Sequence, residues 1–130
     1  MFINFSNHPS AGWCRAQREA AEAFGEICDL PFPDVSPMAT TEEVARMAER
    51  SFLEILRKQP ACVMCQGEFT LSVAVIRRLQ EAGIRCVCAC TERKAVEKRQ
   101  EDGSIQKLSV FEFRQFREYE KGKSECYECF

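Results

Sequence analysis

The sequence predicts an α/β domain, a parallel sheet covered by helices on both faces, and three observations carry that prediction. Short apolar runs alternate with helical periodicities along the chain, an order that brings parallel strands together through right-handed helical crossovers. Two of the runs, Ala61-Cys62-Val63-Met64-Cys65 and Ile84 to Cys90, are continuously apolar apart from Arg85, as expected of strands covered on both sides. Breakers such as Gly25, Pro31, Pro33, Pro60, Gly67 and Gly83 fall between the runs, where chain reversals belong.

Taken in order, Phe2 to Ser6 reads as the first strand, stopped by the turn-forming cluster Asn7-His8-Pro9-Ser10. Trp13 to Phe24 is rich in alanine and glutamate and reads as a helix ending at Gly25. Glu26 to Leu30 is a second short strand, ended by Pro31-Phe32-Pro33. Thr40 or Thr41 caps the next helix, with Glu42 and Glu43 in its first turn and Val44, Met47, Ala48, Phe52, Ile55 and Leu56 on its buried stripe. Ala61 to Cys65 is the third strand, Gln66-Gly67-Glu68 its turn, and Leu71, Val75, Ile76 and Leu79 the stripe of a third helix. Ile84 to Cys90 is the fourth strand. Beyond it, two arms flank Glu101-Asp102-Gly103-Ser104, and Asp-Gly between extended arms signals a hairpin. The expected architecture is a Rossmann-like three-layer domain over residues 1–120, four parallel strands in the order 2-1-3-4 plus a C-terminal β-hairpin, followed by a charged, flexible tail at 121–130.

Composition excludes several classes. Charged residues are 29% and hydrophobic ones 45% of the 130 residues, the balance of a globular domain. No apolar run approaches the roughly 18 residues that cross a bilayer, and MFINFSNHPS has no basic segment leading into an apolar one, so neither membrane nor secretion is expected and the cytoplasm is the expected compartment. A net charge of −2 argues against binding duplex DNA. Arg93 to Lys123 nevertheless carries nine Lys or Arg against six Asp or Glu, which suits a local anion site. Nine cysteines, an odd number lying mostly in apolar runs, read as reduced core thiols rather than a disulfide framework. Cys62-x-x-Cys65 and Cys126-x-x-Cys129 together have the count of a zinc site, but residues i and i+3 of a strand point to opposite faces, so no metal and no cofactor is expected.

In an open parallel sheet, ligands bind outside the carboxyl ends of the strands where strand order reverses. Here that places Ser6-Asn7-His8, Gln66-Gly67-Glu68-Phe69-Thr70 and Thr91-Glu92-Arg93 around one crevice. His8, the single histidine, can serve as general acid or base, as a phosphate donor, or as a polar turn residue. Gly67 can let backbone approach a ligand, and the start of the following helix offers N–H groups to an anion. Glu68 has two open roles, accepting a hydroxyl or base N–H from a ligand or placing negative charge at a helix N-terminus. Arg93 is the best-placed cation for phosphate, because its planar fork can hold two oxygens, or else it forms a surface ion pair.

Asn4-Phe5-Ser6-Asn7-His8-Pro9 on the first strand and the Gln66-Gly67-Glu68-Phe69-Thr70 turn before the third helix resemble the small CRISPR-associated proteins of the ring-nuclease type, relatives of CARF domains. The turn lacks the lysine common in CARF ligand turns. The resemblance implies a homodimer that binds a cyclic oligoadenylate across two crevices, a place in antiviral defence, and metal-independent cleavage. An adenosine 2′-hydroxyl would attack its own 3′-phosphate, releasing a linear product with a 2′,3′-cyclic phosphate end. Asn7 and His8 would then orient the reacting groups, Ser6, Gln66, Gly67, Thr70 and Thr91 would bind ligand, Arg93 would neutralise phosphate, and Glu68 would contact ribose or adenine. A sensor without turnover, and a nucleoside N-glycosidase or deoxyribosyltransferase with Glu68 as nucleophile, are the alternatives.

Overall fold

A computed structural model describes residues 1–122. Five strands and three α-helices follow in the order β1 (Phe2–Ser6), α1 (Arg15–Glu22), β2 (Ile27–Pro31), α2 (Thr41–Arg57), β3 (Cys62–Gln66), α3 (Phe69–Glu81), β4 (Arg85–Arg99) and β5 (Ile105–Glu118), with a short 3-10 turn at Ser10–Gly12. The sheet order is β2-β1-β3-β4-β5, parallel through β4 and antiparallel between β4 and β5. The expected order of the first four strands therefore holds. Thr40 caps α2 by accepting the Glu43 N–H at 3.1 Å. Pro31 is tolerated in β2 because that strand lies at the sheet edge.

Alternation along β1 divides the core between the two faces. Ile3 and Phe5 join Val63, Cys65 and Cys86 beneath α2 and α3. Phe2 joins Cys62, Met64, Val87 and Ala21 of α1 on the other face. Cys62 and Cys65 thus occupy different cores, as their spacing predicted. The seven described cysteines are all free thiols.

The hairpin differs from expectation. Its first arm is not a separate strand but the continuation of β4, which runs unbroken from Arg85 to Arg99 through a register shift at Cys90/Thr91. The polar residues after Thr91 do not end the strand, because β5 pairs with it from Val87↔Glu118 to Arg99↔Ile105. β3 pairs with β4 only as far as Val87, so the outer half of the hairpin is a two-stranded ribbon extending past the sheet. Tyr119 follows directly and belongs to the packed body, since its hydroxyl donates to the Cys65 carbonyl at 2.8 Å and its N–H to the Cys86 carbonyl at 2.9 Å. Cys126 and Cys129 lie outside the described residues.

Burial pushes the Cys62 thiol up to about 11 and those of Cys65 and Cys86 up to about 12. In the unfolded chain these thiols ionise near 9.0, so above that pH the unfolded state sheds protons the folded state retains. The stability they contribute is therefore full below pH 9.0 and declines as pH rises through the folded values. Denaturant titrations across this window should show a falling midpoint, with a shallower fall for Cys86→Ala. A Cys86→Ala slope equal to the wild-type slope would refute the thiol origin.

Candidate functional site

The site begins with a polar residue in an apolar strand. Asn4 is fully buried on the α1 face of β1, directly opposite Asp29 on β2 and Met64 on β3. A buried amide must be satisfied, and its neighbours do so. The Asn4 Nδ2 donates to the His8 carbonyl at 2.8 Å and to Asp29 Oδ1 at 3.0 Å, while Asn4 Oδ1 accepts the Ser6 hydroxyl at 2.6 Å. Ser6 Oγ in turn accepts the His8 N–H at 3.2 Å. The Asp29 carboxylate accepts the Ser10 N–H and hydroxyl, and the Trp13 indole donates to the His8 carbonyl at 3.2 Å. Arg18 donates to the Ser10 carbonyl at 2.6 Å. The turn after β1 is thus clamped through its backbone, with the imidazole of His8 left exposed.

That imidazole lines a crevice of about 570 Å³ on the α1 face of the sheet. Trp13, Cys14 and Gln17 form one wall, Met64 and Gln66 the floor, and Thr91, Phe111 and Phe113 of the ribbon the opposite wall. Gln66 Oε1 accepts the Ala89 N–H just where β4 parts from β3. Thr91 lies opposite Phe113 and Arg93 opposite Phe111, and directly paired residues share a face. Arg93 therefore stands on the crevice side of the ribbon, one row further out, its guanidinium donating to Ser109 Oγ at 2.8 and 3.0 Å. The opposite face of the ribbon holds its own ion cluster of Arg114 with Glu92 and Glu112, and Lys94 with Glu112. Arg93 has no carboxylate partner among the described residues.

His8, Gln66 and Thr91 are thus brought together, with Arg93 at the rim. Ser6 is buried behind the loop and holds it in place, and Asn7 is exposed outside the crevice lining. The third-helix turn does different work. Glu68 is the N-cap of α3, and its carboxylate accepts from the Thr70 N–H at 2.9 Å, the Leu71 N–H at 2.8 Å and the Thr70 hydroxyl. These bonds, that from the Leu71 N–H foremost, hold its pKa below the ordinary 4.5. The helix start and Thr70 are occupied by the chain's own carboxylate, which leaves that carboxylate a poor nucleophile. A Cβ on Gly67 would sit 2.6 Å from ring atoms of Phe32, so the glycine makes room for an aromatic ring that itself packs on Phe5 at 4.8 Å.

Sequence reasoning missed Asn4, Asp29 and the aromatic walls. The signal for Asn4 was present as one amide inside the apolar run Phe2 to Phe5. A model described as the uncharacterized protein MJ1673 family matches residues 1–117, and the chain belongs to that family. No curated protein and no solved structure matches it.

Gly67→Ala should lower stability by about 1–3 kcal/mol, the usual cost of overpacking. Glu68→Ala should cost about 0.5–2 kcal/mol as a lost N-cap. Because the Glu68 pKa is depressed, its contribution is present above 4.5 and is lost as pH falls through the folded value. Denaturation midpoints of wild type and Glu68→Ala should therefore converge in acid; a constant gap down to strongly acidic pH would exclude the capping role.

Proposed function

We propose that this member of the MJ1673 family is a homodimer that binds a cyclic oligoadenylate in the crevice between α1 and the ribbon, and cleaves it without metal as CRISPR-associated ring nucleases do. The observation that carries the reading is the pairing of Trp13, Phe111 and Phe113 on the crevice walls with His8 inside and Arg93 at the rim. Flat aromatic walls suit nucleobases, which stack on them irrespective of sequence. A guanidinium bound only to a hydroxyl is available to phosphate oxygens, for which its planar fork is matched. Gln66 and Thr91 add hydrogen-bonding groups on the floor and wall.

In the cleavage step, the 2′-oxygen forms a bond to phosphorus as the bond to the leaving 5′-oxygen breaks. The proton of the 2′-hydroxyl leaves and one is delivered to the 5′-oxygen. His8 supplies the imidazole in the crevice, the side chain that most often carries such transfers. Its clamped backbone restricts where the imidazole can reach, and positioning is a large part of what such a reaction requires. A sensor with the same crevice and no turnover is the second reading, favoured by the absence of a partner orienting the imidazole among the described residues. The glycosidase reading loses its nucleophile to the cap of α3.

Purified protein incubated with cyclic tetra- and hexa-adenylate, with and without EDTA, tests the proposal by mass spectrometry of products. Linear products ending in 2′,3′-cyclic phosphate, unaffected by EDTA, are expected. Intact recovered ligand would support the sensor, free adenine the glycosidase, and absence of binding would overturn the reading. Arg93→Ala should weaken binding by about 1.5–3 kcal/mol as a charge-assisted hydrogen bond is lost. His8→Ala should slow single-turnover cleavage by about 10²–10⁴ with binding little changed. A wild-type rate in His8→Ala would remove the histidine from the mechanism.

A further inference from the structure

Among the described residues, the outer edge of β5 has no partner. β5 is the last strand of the sheet and spans fourteen residues from Ile105 to Glu118. It carries no proline, and Ile105, Leu108, Val110 and Phe111 along it are exposed at 58, 39, 41 and 66%. A long strand edge left open, with exposed apolar side chains along it, is a template for another strand, and a two-stranded ribbon standing alone is marginal. We propose that β5 pairs antiparallel with β5 of a second copy, about a two-fold axis at Ser109, and that this pairing brings the partner's Lys107 to the rim of the crevice.

The self-complementarity of the strand selects both the occupant and the register. Identical antiparallel strands with like faces on one side must pair residues of equal parity. Centred on Ser109, Leu108 meets Val110, Ile105 meets Phe113 and Lys107 meets Phe111, with no like charges opposed. Centring on Val110 would set Leu108 against Glu112, and centring on Phe111 would set Val110 against Glu112 and Leu108 against Arg114. Cross-strand pairs decide sheet pairing, and of these three registers the one centred on Ser109 sets Leu108 against Val110 and Ile105 against Phe113 with no apolar residue facing a carboxylate.

The consequence for the site rests on the nucleotide reading above. Arg93 and Phe111 form one row on the crevice face, and the partner's Lys107 extends that row across the new strand boundary, roughly 4.8 Å from Phe111. Lys107 has no carboxylate partner within the protomer among the described residues. Each crevice then presents two cations, one from each copy, beside an exposed aromatic face.

Site-directed cross-linking with ligand titration tests both parts. A cysteine at position 109 faces its own copy across the axis at about 4.5–5.5 Å between Cα atoms, within disulfide range. Position 106 lies roughly 20 Å from its copy at about 3.4 Å per residue. Under mild oxidation Ser109→Cys should give a covalent dimer, mapped to position 109 by peptide mass spectrometry to set aside native thiols, and Gln106→Cys should not. A monomer at micromolar concentration, or cross-linking at 106 in preference to 109, overturns the interface. Lys107→Ala should stay dimeric and bind cyclic tetra-adenylate about tenfold more weakly; unchanged affinity overturns the role of Lys107. A wild-type dimer joined at Ser109 that binds no nucleotide upholds the interface and overturns that role together with the ligand reading.

Discussion

The amide of Asn4 is the interaction on which the geometry of the site depends. It lies in the centre of the sheet with no access to water, where an unmet donor or acceptor costs about 1–3 kcal/mol. Its satisfaction requires Asp29 on the neighbouring strand, Ser6 two residues on and the carbonyl of His8 beyond the strand end, all at once. Strand register, the course of the turn and the placing of the imidazole are therefore one coupled arrangement. The network also tightens the entry to α1, since Asp29 holds Ser10 and the Trp13 indole shares the His8 carbonyl with Asn4.

The second constraint comes from the opposite side of the crevice. β4 outruns its partner β3, and at that point the Gln66 side chain takes the Ala89 N–H that no strand can reach. The register shift at Cys90/Thr91 follows immediately, and irregularities of this kind bend a ribbon and re-aim its side chains. Phe111 and Phe113 thereby reach the face that carries His8. Trp13 and Phe116 pack together at the root, with ring centroids 6.3 Å apart, joining the α1 wall to the ribbon wall. The crevice is thus assembled from the first third of the chain and the last, with β3 as its floor.

Strand order and the two-faced core were legible because they follow from periodicity and crossover handedness, which are local signals. His8, Gln66 and Thr91 were legible for a related reason, since topology alone brings the carboxyl ends of β1, β3 and β4 together. Asp29 was not, because its partnership with Asn4 depends on pairing register between strands far apart in sequence. The aromatic walls were hidden likewise: Phe111 and Phe113 sit in a polar arm whose facing is fixed by a register shift that no propensity marks. Glu68 shows the opposite difficulty. Its two roles were both consistent with the sequence, and only the bonds from Thr70 and Leu71 assign the capping one. Gly67 read as room for a ligand, whereas the ring it accommodates is Phe32, contributed by a loop thirty-five residues earlier.

The central claim is that the crevice between α1 and the ribbon accepts a nucleotide against its aromatic walls. Trp13 is the only tryptophan of the chain and stands in one of those walls, so its fluorescence reports occupancy without a label. Titration of the purified protein with cyclic tetra-adenylate should quench that emission saturably, and Phe111→Ala should shift the curve to higher concentration by about 1–3 kcal/mol in binding free energy, the worth of one base stacked on an aromatic ring. Emission that stays unchanged at millimolar ligand, in a protein shown to be folded, would contradict the account.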